Sequence, residues 1–342
     1  MLTDAPTGER LDPGWQAESD AWILNELATL GVTATGPVET VRVRAWSVIR
    51  RVGTTAGRVW FKANVPTNGF EAAVVGALAG WAPDHVVAPL AVDRTRGWLL
   101  SPDGGPTLRE AMADPPDPAR WAELLRAYAE LQRLTAPHAD GLIGLGLPDL
   151  RPERLPAALA DLLADPTVTL DPDRRAALVQ LSGRYERWCA ELAADGLPAS
   201  LQHDDLHDGN VFVGAGTGAD ARLRFFDWGD ACLAHPFSSL LVALNVAAYQ
   251  FGFSPGGPEL ARLRDAYLEP WTDQRGRADL VRSVRLALRV GKVGRALTWQ
   301  RALRGATAPE WERALGGPAP LSAEHADAVG GWLGELTEPD LS

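Results

Sequence analysis

Ten residues constrain this chain more than the rest of it: Leu201-Gln202-His203-Asp204-Asp205-Leu206-His207-Asp208-Gly209-Asn210. They run straight into the apolar Val211-Phe212-Val213 and are followed by Phe225-Phe226-Asp227-Trp228-Gly229-Asp230. Read as two strands joined by a turn, this pattern puts His203, Asp205, Asn210 and Asp227 at the ends of neighbouring strands. An Asp five residues before an Asn, with a second Asp after the next strand, is what phosphoryl transfer from a magnesium nucleotide requires. One carboxylate orients the attacking hydroxyl, while a carboxamide and a carboxylate hold the metal against the phosphates. Other chemistries lack their signatures. There is no Gly-x-Ser-x-Gly elbow for a serine nucleophile. His203 and His207 stand four apart, but the glycine and strand that follow them argue against the helix a zinc pair would need.

The His203-x-Asp205-Leu206-His207-x-Gly209-Asn210 run and the later Asp227-Trp228 resemble the catalytic and metal-binding segments of the aminoglycoside phosphotransferase family. The resemblance implies a protein-kinase-like fold and phosphorylation of small-molecule hydroxyls with ATP or GTP. It makes Asp205 the catalytic Asp, Asn210 and Asp227 the Mg2+ ligands, and His203 the histidine that packs the catalytic loop. Two positions depart from the family pattern. Asp204 stands where Gly is usual, and Asp208 where Pro is frequent. Two extra carboxylates beside a phosphate site repel it unless they point outward.

A chain of 342 residues is long enough for two domains or one bilobal unit with a substantial core. Hydrophobic content of 46% with 23% charged residues is ordinary for a globular protein. A net charge of −11 argues against a nucleic-acid partner, which needs a basic patch. It does not by itself select a cationic substrate, because surface fields are screened within about 8 Å at physiological salt. Two cysteines are too few for a disulfide framework, and Cys189 beside Trp188 reads as a core thiol. The first 16 residues are polar and carry acids, unlike a targeting segment. The longest greasy stretch, 240–253, contains Asn245 and Gln250 and is too short to span a bilayer. These features predict a soluble cytoplasmic enzyme with no membrane partner.

Patterning divides the chain in two. Trp22, Ile23, Leu27 and Leu30 recur at helical spacing before Gly31. Strands are expected over 41–45, 48–52 and 59–63, then a helix over 70–81, then short strands near 86–87, 90–92 and 98–100. This predicts a small antiparallel sheet with one helix packed on it, over residues 1–101. The Pro- and Gly-rich 101–106 reads as a linker. Residues 102–342 are expected to form a larger, mostly helical lobe, with helices starting after Asp117-Pro118 and Asp171-Pro172 and continuing at 239–251, 258–271, 279–303 and 323–336. Residues 214–221 read as a small-residue turn between the two motif strands. The fold class is therefore α+β, bilobal and protein-kinase-like.

Lys62 lies in the apolar strand Val59-Trp60-Phe61, where a buried-facing lysine needs a partner. One reading has it contact the α- and β-phosphates while Glu71 holds it; the other leaves its tip in water. No Gly-x-Gly-x-x-Gly run precedes it. The corresponding turn is Arg44-Ala45-Trp46-Ser47, where Ser47 either offers a donor to a phosphate or belongs to an ordinary strand turn. The base would sit near Leu100 and Ser101 on backbone groups. Asp230 and Glu269 are candidate acids for the acceptor, or simply exposed charges. The Arg282, Arg285, Arg289, Lys292, Arg295 series falls at helical spacing, usually a solvated face but regular enough to border a pocket. His85, His138, His235 and His325 read as surface or capping residues. The expected reaction is transfer from ATP or GTP to a hydroxyl of an aminoglycoside-like or other amine-bearing metabolite. A neutral-sugar kinase and a weakly catalytic, nucleotide-binding pseudokinase are the alternatives, the latter on account of Asp204.

Overall fold

The computed structural model describes residues 11–112, 116–214 and 222–337. The turn expected at 214–221 and most of the N-terminal segment therefore lie outside the described residues. In chain order come α1 (Pro13–Thr29), β1 (Glu39–Val43), β2 (Ser47–Thr54), β3 (Gly57–Asn64), α2 (Phe70–Trp81), β4 (Ala91–Asp93) and β5 (Trp98–Pro102). Then follow α3 (Leu108–Ala111), α4 (Pro118–Thr135), α5 (Ala139–Gly144), α6 (Leu155–Ala164) and α7 (Pro172–Ala193). The motif region holds β6 (Ser200–Gln202), β7 (Val211–Val213), β8 (Leu223–Phe225) and β9 (Cys232–Ala234). Helices α8 (Leu240–Phe251), α9 (Pro258–Leu268), α10 (Arg277–Ala306), α11 (Pro309–Ala314) and α12 (Ala323–Glu335) complete the chain.

The first compact unit comprises the described residues of Met1–Pro83, with Val87–Gly104 and Gln300–Ala326. Its sheet is antiparallel in the order β1-β2-β3-β5-β4. Alternation in β2 and β3 buries Val48, Val52, Val59, Phe61 and Ala63 against Ile23 and Leu27 of α1. The strand expected over 41–45 runs over 39–43, and a bulge between Thr40 and Arg42 leaves Val41 43% exposed while Val43 is buried. Extra residues of this kind re-aim side chains at a sheet edge. Trp311, Ala314 and Leu315, far along the sequence, complete this core. The indole of Trp311 donates to the Ala45 carbonyl at 2.7 Å, so residues expected in the helical lobe belong to this unit.

The second unit comprises Asp84–Val86, Gly105–Trp299 and the described residues of Asp327–Ser342. Residues 86–87 form no strand; Val86 makes a single parallel bridge to Phe225. Asp117 and Asp171 cap α4 and α7 through their carboxylates, with Pro in the first turn of each helix, as expected. The buried face of α4 reaches the motif directly: Tyr128 Oη and Gln132 Nε2 each donate to the Leu201 carbonyl at 2.9 Å. Tyr185 of α7 donates to the Val290 carbonyl of α10 at 2.9 Å. Cys189 and Cys232 are buried free thiols, and burial pushes Cys189 up to about 12. Among the described residues no helix is long and apolar enough to cross a membrane.

Candidate active site

Two short antiparallel ladders carry the motif. β6 pairs with β9, Gln202 opposite Cys232, and β7 pairs with β8, Val211 opposite Phe225. Residues 203–210 connect the first ladder to the second, and 226–231 return the chain. The site residues thus sit on connections whose ends are both hydrogen-bonded, and rigid ends hold side chains in place. The Phe226 amide donates to the Asn210 carbonyl at 3.1 Å, which fixes the approach of the chain to Asp227. The Phe212 and Phe226 rings stack at 3.9 Å across the same junction.

His203 is fully buried, its ring 4.7 Å from Trp228, with Nε2 2.8 Å from the Phe226 carbonyl. Burial lowers its pKa, so a neutral ring donates to that carbonyl. It holds the backbone one residue before Asp227. Asp205, by contrast, keeps a third of its side chain exposed (34%). Its Oδ2 accepts from Asn210 Nδ2 at 3.1 Å, and that amide also reaches the Asp205 carbonyl at 2.9 Å. Partial burial alone would raise the Asp205 pKa, but the His207 hydrogen bond and the Arg295 charge outweigh it and hold the carboxyl well below its usual range.

Both departures from the family pattern are buried, and each is met by an arginine. Asp204 and Asp227 adopt left-handed backbone, with φ of 61° and 66°. Aspartate tolerates this region, at a strain of order 1 kcal/mol or more. The turn at 204 sends its carboxylate inward, where Gln202 Nε2 donates to it at 2.8 Å and Arg295 Nη1 lies 3.7 Å away. Asp208 is fully buried and takes a two-pronged contact from Arg109 of α3, Nε at 3.0 Å and Nη2 at 2.6 Å. Directly after Asp208, Gly209 is favoured by the lack of space for a side chain. A Cβ there would lie 2.8 Å from the His207 ring and 3.2 Å from Arg109, and the Gly209 amide donates to His207 Nδ1.

Of the basic series expected to form a solvated face or to border a pocket, only the end at Arg295 reaches the motif acids. Along α10 the basic series runs from exposed Arg282 and Arg285, through half-buried Arg289 and Lys292, to a buried end. Arg289 stacks on Trp188 at 4.2 Å, and Lys292 donates to the Glu335 carbonyl at 2.9 Å. Arg295 is only 7% exposed and faces three carboxylates: Asp230 at 2.7 Å, Asp205 at 3.4 Å and Asp204 at 3.7 Å. Burial alone would lower its pKa, and the three acids raise it instead. The candidate acceptor acid Asp230 is thus engaged by Arg295. Glu269 is 62% exposed and pairs with Arg126 at 2.7 Å beside a cleft also lined by Arg262 and Arg277. His235, read as a surface or capping residue, is a capping one: it is buried and caps the turn before α8, while its Nε2 contacts Asp195 at 2.9 Å.

In the first unit, Lys62 Nζ meets Glu71 at 2.6 Å, with Glu71 almost fully buried. The nine-residue interval suffices because only a short 3-10 turn, Pro66–Asn68, separates β3 from α2, which carries Glu71 in its first turn, where the helix dipole favours a carboxylate. Asn64, two residues from Lys62 and so on the same face of β3, donates to the same oxygen. Ser47 opens β2, is 6% exposed, and accepts on its carbonyl from the Arg44 amide at 2.8 Å. Trp46 beside it packs edge-on against His325 at 4.9 Å. Leu100 is fully buried opposite Phe61, and its carbonyl accepts from Leu90; Ser101, next on β5, is half-buried.

Asn210 spends its amide nitrogen on Asp205, so its carbonyl oxygen is the donor a hard cation would take; Asp227 is exposed and offers carboxylate oxygens. Oxygen donors from one or two side chains, completed by phosphates, suit Mg2+. Among the described residues no group of three or more His, Cys, Asp and Glu forms a ligand shell of its own.

Residues 40–280 match the phosphotransferase enzyme family. No match is found among curated protein sequences. Solved structures align over nearly the whole chain. The GDP complex of wild-type aminoglycoside 2'-phosphotransferase-IIIa is 15% identical, covers 93% of this chain and 98% of that one, and gives a TM-score of 0.59. A choline kinase from Streptococcus pneumoniae is 12% identical over 94% and 99%, with a TM-score of 0.58. Macrolide 2'-phosphotransferase type I is 18% identical over 90% and 98%, with a TM-score of 0.53. At these identities the likeness is one of fold, and that fold is kinase-like.

Proposed function

The chain belongs to the phosphotransferase enzyme family, and from that premise we propose that it transfers the γ-phosphoryl group of ATP or GTP to a hydroxyl of an amine-bearing small molecule. The observation that carries this reading is the Asp205–Asn210 contact at 3.1 Å, next to Asp227 through the Phe226–Asn210 hydrogen bond. Asp205 would align the acceptor hydroxyl and take its proton late, a role worth on the order of 10²–10⁴-fold in rate. Asn210 and Asp227 would hold Mg2+, which when bound neutralises charge on the phosphates. Lys62, steadied by Glu71 and Asn64, would add a further positive charge. Such transfers pass through a loose transition state, so positioning and charge neutralisation do most of the catalysis. Ser47 and the backbone near Leu100 and Ser101 are the remaining candidates for nucleotide contact.

For the acceptor, three carboxylates face a single buried Arg295, and the excess negative charge favours an amine-bearing molecule. A neutral sugar is the second reading, favoured by Arg295 already occupying Asp230. A pseudokinase is the weaker account, since Asp204, which suggested it, is buried and faced by a cation. Phosphorylation of a panel of amino-sugars, amino-alcohols, macrolides and neutral sugars, with and without Mg2+, tests the proposal. Transfer to amine-bearing hydroxyl compounds is expected; transfer to neutral ones alone removes the cationic part. Magnesium-independent or absent nucleotide turnover removes the kinase reading itself.

A further inference from the structure

The guanidinium of Arg295 is planar, and its two terminal nitrogens point in fixed directions. Asp230 takes Nη1 at 2.7 Å, so it sets the plane of the fork. The other nitrogen, Nη2, then lies 3.4 Å from Oδ1 of Asp205. Oδ2 of the same carboxylate is held by Asn210 at 3.1 Å, with His207 Nε2 at 3.5 Å. Each oxygen of Asp205 therefore has its own neighbour, Arg295 at Oδ1 and Asn210 with His207 at Oδ2. Arg295 is 7% exposed, and its Cζ lies 5.5 Å from the Trp299 ring, so the fork has little room to turn. The same Nη1 faces Asp204, whose left-handed backbone sends its side chain away from Asp205 and into the protein.

Resting on the kinase reading, we propose that Arg295 is the positioning residue of the catalytic loop, with Asp230 as its anchor and Asp204 as the acid it neutralises. Asp230 on this account sets the geometry of Asp205 through Arg295 instead of receiving the acceptor. The arrangement also explains how the chain carries a carboxylate at position 204 beside a phosphate site. A buried cation placed between the two acids screens one from the other and holds the second in line.

The test uses the full-length protein, with hydrolysis of MgATP by water as the probe reaction. Removing Arg295 alone leaves buried acids without a partner, and the variant is exposed to misfolding. The informative comparison is therefore D204G against D204G/R295M, because Asp204→Gly removes one of those acids and suits the positive φ. The double variant should unfold at a temperature near that of D204G. Its kcat should be about 10²-fold lower, at the low end of what a positioned base supplies, with the KM for ATP within about 2-fold. D230A should show the same split, and D204G/R295K should recover part of the loss by restoring the charge. A folded D204G/R295M that turns over at the D204G rate overturns the proposal. So does a D230A variant that keeps its kcat, or losses that follow melting temperature alone. Absence of MgATP hydrolysis in the unaltered protein would instead overturn the kinase reading beneath it.

Discussion

Two buried ion pairs, one in each compact unit, solve the same problem in different ways. Lys62 and Glu71 lie nine residues apart, on a strand and the helix that follows, with one charge of each sign and Asn64 satisfying the acid further. Arg295 lies 90 residues from Asp205 in sequence and faces three acids at once. The first is local and balanced. The second is long-range and carries excess negative charge, and it is the one that touches the Asp carrying the proposed chemistry.

The largest expected effect separates the two consecutive acids of the loop. Asp205→Asn should lower kcat by about 10²–10⁴-fold with nucleotide affinity by calorimetry near that of the unaltered protein. Asp204→Asn should lose far less, since its carboxylate faces Arg295 and Gln202. The reverse order of losses would dissolve the distinction between an acid that acts and one that is compensated.

The local pair comes next. Lys62→Met takes the cationic partner from Glu71, whose side chain is 2% exposed. A stability loss of about 3–5 kcal/mol in urea unfolding is expected, with weakened ATP binding. A variant as stable as the parent would mean that water reaches Glu71 and the pair is not the buried element described.

A third buried pair, Asp195 with His235, sharpens the contrast because no nucleotide role is assigned to it. Burial would raise the Asp195 pKa, but hydrogen bonding and the charge of His235 hold it below its ordinary value. A carboxylate with a depressed folded-state pKa stabilises above its unfolded value, near 4, and loses that contribution as pH falls through the folded value. Asp195→Asn should therefore cost about 1.5–3 kcal/mol at neutral pH, and the two stability curves should converge below pH 4. Curves that stay parallel across that range would show that the pair's charge contributes nothing.

The smallest effect belongs to Glu269, whose pairing with Arg126 is largely exposed. Glu269→Gln should change stability by less than about 1 kcal/mol and fade further in high salt. A marked rise in acceptor KM on this change would return Glu269 to the site.

The first unit was legible from alternation because β2 and β3 bury one face only, and the period of two shows directly in Val48 to Val52 and Val59 to Ala63. The helix over 70–81 was legible down to its ends. Val41 was misread because a bulge leaves no mark in a hydrophobic pattern, and the strand expected at 86–87 was too short to separate from a single bridge. Within the site, the spacing of Asp205, Asn210 and Asp227 was visible because local hydrogen bonds span it. Asn64 had a signal that went unused, two residues beyond Lys62 and hence on its face.

What the sequence by itself determined is the chemistry that local geometry can enforce: an Asp and an Asn one loop apart, a Lys on a strand, and an acid nine residues later in the first turn of the next helix. What only the tertiary structure decided is which charges meet. Arg295 has the same helical spacing as Arg282 and Arg285, yet it is buried among Asp204, Asp205 and Asp230 while they are exposed. Trp311, Ala314 and Leu315, between the helices expected at 279–303 and 323–336, complete the core of the first unit. Helical periodicity says which residues share a face but not what that face meets. The energy of a buried charge depends on partners that the fold brings from any distance along the chain.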